Sequence, residues 1–348
     1  MSLINTRLLA LRAASNVDKW ETRAGRWGAL DAFKKQTEAP GGVISDDLKA
    51  QALAAVGNTL TIPVIDYDSG VTVSATTIPL VTTGTPSTSQ LMAVTFIQYY
   101  WGFLIHPAQH KNNEISMQRE FNEQMTKHIY KYMDLLDVAC LAALEAAKTQ
   151  VLTDDLGGRY AKVGNVVEGP LAEQDAFIGD LNPLNTGNDF FGPLDIVANG
   201  SMESHVRNRL LEKGQFNTED KTYQYNDKEF HFTNNLANAV GHRATAFALQ
   251  KGSVGLLQQF APDCLMGNST EKYKWDIENL PIMDMPIGTY QYSDAVDGSA
   301  LGGAATAHLT ATLMESYAFH NAIAIVTPYN SAPATIASSI MKAAIKTT

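Results

Sequence analysis

Residues 113–152 read NEISMQREFNEQMTKHIYKYMDLLDVACLAALEAAKTQVL. Apolar side chains recur at Met117, Phe121, Met125, Ile129, Tyr132, Met133, Leu136, Cys140, Leu144 and Ala147, the spacing of a single helical face. Asn113 suits an N-cap, with Glu114 in the first turn. Glu123 and Lys127 are spaced for an i,i+4 pair on the solvent side. At 1.5 Å per residue the helix would reach roughly 50 Å. A straight helix that long suits a thin, plate-like subunit better than a compact enzyme domain.

Upstream, residues 59–106 change character. They are rich in Thr, Val and Ile, with turn signals at 66–70 (DYDSG) and 82–89 (TTGTPSTS). Leu60, Ile62 and Val64 alternate with polar or small residues, as do Met92, Val94 and Phe96. The alternation slips by one and resumes at Tyr99, Trp101, Phe103 and Ile105, which predicts a β-bulge near Ile97–Gln98. No Lys or Arg occurs between Lys49 and Lys111. A long, uncharged hairpin with few bulky residues in its middle is marginal alone in water and is expected to need a neighbour's surface.

Residues 1–57 read as two or three short helices, with Leu3, Leu8, Leu11 and Ala14 on one face, a break at Pro40-Gly41-Gly42, and a second start capped at Ser45-Asp46-Asp47. Downstream of the long helix, 153–190 reads as a loop-rich connection. In 191–265, PLDIVAN (193–199) is expected as a strand and SMESHVRNRLLEKG (201–214) as a helix capped by Ser201. KEFHFTNNL (228–236) reads as a strand entering a turn, and 245–260 as a strand, a glycine turn and a short helix. Residues 272–330 are strand-like, and the Ala-rich 331–348 ends in a short helix.

Hydrophobic residues make up 45% and charged residues 18% of the 348, a balance that excludes whole-chain disorder. The longest apolar runs are about seven residues, as in Val138–Leu144, against roughly 20 for a membrane span. Arg7 and Arg12 interrupt the N-terminal apolar pattern, so a secretory leader is not expected there. Net charge is −10, unlike a dedicated nucleic-acid binder, yet residues 1–38 carry seven Lys/Arg against four acids. Cys140 and Cys264 make neither a disulfide framework nor a zinc set. Neither phosphate-binding glycine loop nor a GxSxG nucleophile elbow is present. His106 and His110 have a metal-like spacing, but Pro107 lies between them and no HExxH glutamate accompanies it. The aromatic run Tyr99-Tyr100-Trp101-Gly102-Phe103 lacks the interleaved cations of a base-stacking platform and is expected to pack in a core or a subunit interface.

The order of elements, together with DIVANGSMESHVRNRL (195–210) and FTNNLANAVGHRATAFALQKGSVGLLQQFAPD (232–263), resembles the HK97-type major capsid protein of tailed bacteriophages. The resemblance spans nearly the whole chain, through architecture more than invariant residues. It implies an α+β fold divided into an N-terminal arm (1–58), an E-loop (59–112), a P-domain spine helix and following loop (113–190), an A-domain (191–271), P-domain strands (272–322) and a C-terminal return (323–348). It implies a structural subunit, with no catalytic site, cofactor, metal or membrane, that assembles into hexamers and pentamers in a bacterial cytoplasm. Inter-subunit contact is expected at Trp27, Ile62, Val64, Val71, Val73, Ile78, Leu80 and Leu91, and non-specific contact with packaged double-stranded DNA at Arg7, Arg12, Arg23 and Arg26. Some members join a loop Lys to a neighbour's Asn; with no Lys between 49 and 111, a non-covalent shell is expected. A hairpin beginning at residue 59 leaves no room for a fused scaffolding extension, so a separate scaffolding protein is expected, beside a portal and decoration proteins. Competing readings are an encapsulin-like nanocompartment, a tail or minor head component, and a cytosolic enzyme with an unrecognised site.

Overall fold

The long apolar stripe does make one helix. In a computed structural model, described at residues 27–55, 57–65, 89–106, 110, 114–152, 155–212, 223–225, 228–261, 264, 273–280, 285–296, 312–330 and 336–348, it runs from Glu114 to Ala147. Its 34 residues extend about 50 Å. Among the described residues two helices precede it, α1 (Gly28–Thr37) and α2 (Asp46–Ala54), so the long one is α3. As expected, Ser45 caps α2, its Oγ accepting from the Leu48 amide at 3.2 Å. On the surface of α3, Glu123 pairs with Arg119 at 3.5 Å, one turn back.

The threonine-rich segment supplies β1 (Thr59–Ile65), β2 (Ser89–Thr95) and β3 (Ile97–Ile105). β1 and β2 pair antiparallel as a two-stranded ribbon, with Ile62 opposite Met92. The slip in alternation is a change of sheet, not a bulge. At Phe96 the chain leaves the ribbon, and β3 pairs instead with β13 (Thr312–Val326). Along its opposite edge β13 carries β12 (Pro286–Val296) and then β10 (Gly255–Gln259), with β11 (Tyr273–Asn279) outside β12.

α3 lies on one face of this five-stranded sheet. Phe121, Met125, Ile129 and Tyr132 bury against Phe103, Tyr317 and Phe319 in the largest core cluster. The aromatic run is therefore split by the strand's alternation. Trp101 stacks on Phe319 (4.0 Å between centroids) and on His128 (5.4 Å), and Phe103 meets Phe121 edge-on, while Tyr100 faces the other way. Gly102 is required there, since a β-carbon would come within 2.7 Å of the Tyr317 carbonyl.

A second, seven-stranded sheet has the order β4-β5-β14-β9-β6-β8-β7. Its strands are β4 (Ala161–Val163), β5 (Val166–Gly169), β6 (Leu194–Asn199), β7 (Tyr223–Tyr225), β8 (Lys228–Thr233), β9 (His242–Gln250) and β14 (Ile340–Lys346). α4 (Gln174–Thr186) and α5 (Gly200–Glu212) pack on it. Several readings change here. The 153–190 connection contains β4, β5 and α4, and α4 buries Phe177, Ile178, Leu181 and Leu184. The helix after β6 is capped by Asn199 rather than Ser201, with Asn199 Oδ1 accepting from the Met202 amide at 3.1 Å. The short helix expected near 255–260 is strand β10, and the one expected at the C-terminus is β14, parallel to β5 and antiparallel to β9. The mixed content is α+β, as expected, and among the described residues no helix is long and apolar enough to cross a membrane.

Candidate functional site

Two surfaces and one buried junction stand out. Among the described residues, the ribbon β1–β2 meets the body along one face. Leu60, Ile62 and Met92 pack partly against a small cluster of Ile44, Leu48, Ala52, Val94, Phe96 and Leu257. On the opposite face Leu91, paired with Pro63, is 74% exposed. Val64 pairs with Gln90; Val71, Val73, Ile78 and Leu80 lie outside the described residues.

The second surface is the face of the five-stranded sheet turned away from α3. Register places Gly102, Ala318, Tyr290 and Trp275 in one row across it, with Tyr100 and Leu104 in the flanking rows. Trp275 and Tyr290 lie 4.5 Å apart between ring centres. Tyr100 is 74% and Leu104 43% exposed, so this face presents aromatic and aliphatic surface to solvent.

The junction joins α3, α1 and the end of β8. Trp27, expected at a subunit contact, is instead 2% exposed inside its own subunit. Its indole N–H donates to Asp134 Oδ1 at 2.8 Å, and its ring stacks on Tyr130 at 5.3 Å. One turn on, Asp137 is fully buried and acts as a remote cap for α1. Its Oδ1 accepts from the Leu30 amide at 3.0 Å, where Trp27 in the N-cap position has no side-chain oxygen to offer. Its Oδ2 accepts from Thr233 Oγ1 (2.6 Å) and Asn235 Nδ2 (2.9 Å). Burial raises the Asp137 carboxyl above its ordinary value, against the lowering effect of these bonds. Burial likewise pushes Asp31 up to about 6, with Lys34 opposing and Asp137 adding.

At its other end α1 is tied to both sheets. Gln36 Nε2 donates to Asp195 Oδ2 of β6 at 2.9 Å, while its Oε1 accepts from the Val254 amide just before β10 at 3.1 Å. Gly28 lets the helix touch β8 directly, because a β-carbon there would lie 2.6 Å from the His231 and Phe232 backbone. His231 is buried beside Asp195 and Lys35, and burial lowers it to about 4. His110, one of the spaced histidines, bonds Ser116 Oγ through Nδ1 (2.8 Å) and Glu120 through Nε2 at the start of α3. Among the described residues no group of three or more His, Cys, Asp or Glu is gathered as a metal site.

No family model matches the chain, and no curated protein matches its sequence. Solved structures with a similar arrangement include several from phages. One from Mycobacterium phage Che8 has 9% identity and a TM-score of 0.44, covering 88% of this chain and 96% of its own. The Cyanophage Pam1 capsid asymmetric unit has 13% identity and a TM-score of 0.42, covering 85% and 87%. The capsid of Ralstonia phage GP4 has 9% identity and a TM-score of 0.41, covering 84% of each chain. These are distant likenesses of overall arrangement.

Of the residues singled out in the sequence, Leu91 is open to solvent, Ile62 is half-buried at the ribbon root, and Trp27 is internal. Arg7, Arg12, Arg23 and Arg26 lie outside the described residues. Asp137 was missed, although it carried a signal. It falls on the apolar stripe of α3 between Met133 and Cys140, where a charge needs a buried partner.

Proposed function

We propose that this chain is the major capsid protein of a tailed bacteriophage, a shell subunit that assembles with copies of itself into hexamers and pentamers around double-stranded DNA. The observation that carries this reading is the ribbon β1–β2. It is two strands wide, exposes Leu91, and stands beside a sheet face that exposes Tyr100 and Leu104. An isolated hairpin is marginal in water, so both surfaces ask for a second copy. Contact through the E-loop residues Ile62, Val64, Val71, Val73, Ile78, Leu80 and Leu91 would bury on the order of 1,600 Å² per interface. Repeated contacts of this kind would close on icosahedral symmetry.

In this reading 1–58 is the N-terminal arm, 59–112 the E-loop, α3 the spine of the P-domain with the 272–322 strands, and 191–271 the A-domain. β4, β5, α4 and the C-terminal return would sit with the A-domain sheet. The shell is held non-covalently, the arm cations Arg7, Arg12, Arg23 and Arg26 meet packaged DNA, and portal, scaffolding and decoration proteins are partners. The test is negative-stain microscopy and sedimentation of the expressed chain, with and without a candidate scaffolding protein. Rings of five or six and closed shells are expected. A discrete small oligomer that never forms them would overturn the reading.

A further inference from the structure

The solvent edge of α3 changes character at its midpoint. Beyond Ile115 at its start, its first half presents Arg119, Glu123, Lys127 and Lys131; its second half presents Leu135, Val138, Ala142 and Ala146, with Glu145 as the exposed charge beside them. Leu135 and Val138 are 48% and 50% exposed, where a helix backed by a sheet ordinarily carries charge. A second observation bears on the same place. Trp27, where the described residues begin, is fastened through its indole to Asp134, the neighbour of Leu135 in sequence, and stacks on Tyr130. The stretch upstream of Trp27 contains Ile4, Leu8 and Leu11 at i, i+4 and i+7. The way from Leu135 to Ala146 is about 17 Å along the helix. Residues 12–26 can span up to about 50 Å, so a chain can reach its own surface.

We infer that the Leu135–Val138–Ala142 face of α3 is the docking seat for the N-terminal segment of the same chain, with Leu8 and Leu11 laid over it. The seat stands apart from the shell reading, because it is made within one subunit. Docking shields Arg7 and Arg12 from trypsin, and cleavage there follows the undocked population. In the full-length chain, Val138→Asp and, separately, Leu8→Asp are expected to speed cleavage after Arg12 by about ten-fold, the double variant cleaving no faster than either single one. Leu8→Asp leaves every buried residue of the described body unchanged, so it remains informative if Val138→Asp disturbs the helix. Cleavage equally fast in wild type and Leu8→Asp would overturn the inference. So would cleavage that accelerates on dilution, which would place the segment on another copy.

Discussion

Asp137 shows how one residue can join three elements. It stands in for the missing cap of α1 and ties down the turn after β8, all through neutral donors. Removing it strands those donors in the interior, so Asp137→Ala should cost about 3–5 kcal/mol in urea unfolding. Gly28→Ala forces a methyl group into the β8 backbone and should cost about 1–3 kcal/mol by the same measurement. Asp31 gives a pH signature. Its folded pKa, about 6 against an ordinary 3.8, means that the fold favours the protonated form. The associated stability is complete below pH 3.8 and is lost as pH rises to about 6. At about 1.4 kcal/mol per unit this amounts to at most about 3 kcal/mol. Asp31→Asn should therefore match wild type near pH 3.8 and exceed it in stability at pH 7; a difference independent of pH would remove Asp31 as the cause.

At the scale of elements, the two central strands β13 and β14 organise the two sheets. β14 buries Ile340, Met341, Ala343, Ala344 and Ile345 between β5 and β9. Deleting residues 340–348 would open two strand edges and the core of that sheet, and should abolish cooperative unfolding followed by near-ultraviolet circular dichroism. The sequence IMKAAIK reads equally well as a helix turn, because strand preference is set largely by neighbours, here β5 and β9, which arrive from far along the chain. The run GLLQQ of β10 is ambiguous for the same reason, a short apolar stretch whose period cannot be read. α3, by contrast, repeats its pattern long enough to leave no choice, and β3 kept its alternation through the aromatic run.

At the scale of the molecule, the body is closed on itself while the ribbon and the outer sheet face are not. Leu91→Asp separates folding from assembly. At a position so exposed the substitution should move subunit stability by no more than about 0.5 kcal/mol, yet it should prevent ring and shell formation in sedimentation and negative-stain images. Assembly equal to wild type would show that the ribbon is not a contact. Half of this candidate surface was legible beforehand, since a cation-free, two-stranded arm announces unfinished packing. The other half was not. Tyr100 and Leu104 share a strand with Trp101 and Phe103, and only the position of α3 decides which set is covered.

What the amino-acid sequence determined by itself is local and periodic: the length and buried face of α3, the hairpin with its turn signals, the cap of α2, and the phase slip before Tyr99. These follow from side-chain spacing within a single element. The tertiary structure alone decided that the slip is a passage between sheets, that the last strand is central, and that Asp137 caps a helix 107 residues away. Each of those depends on a partner distant in the chain, and a backbone amide or an apolar strand accepts whichever partner the packing delivers.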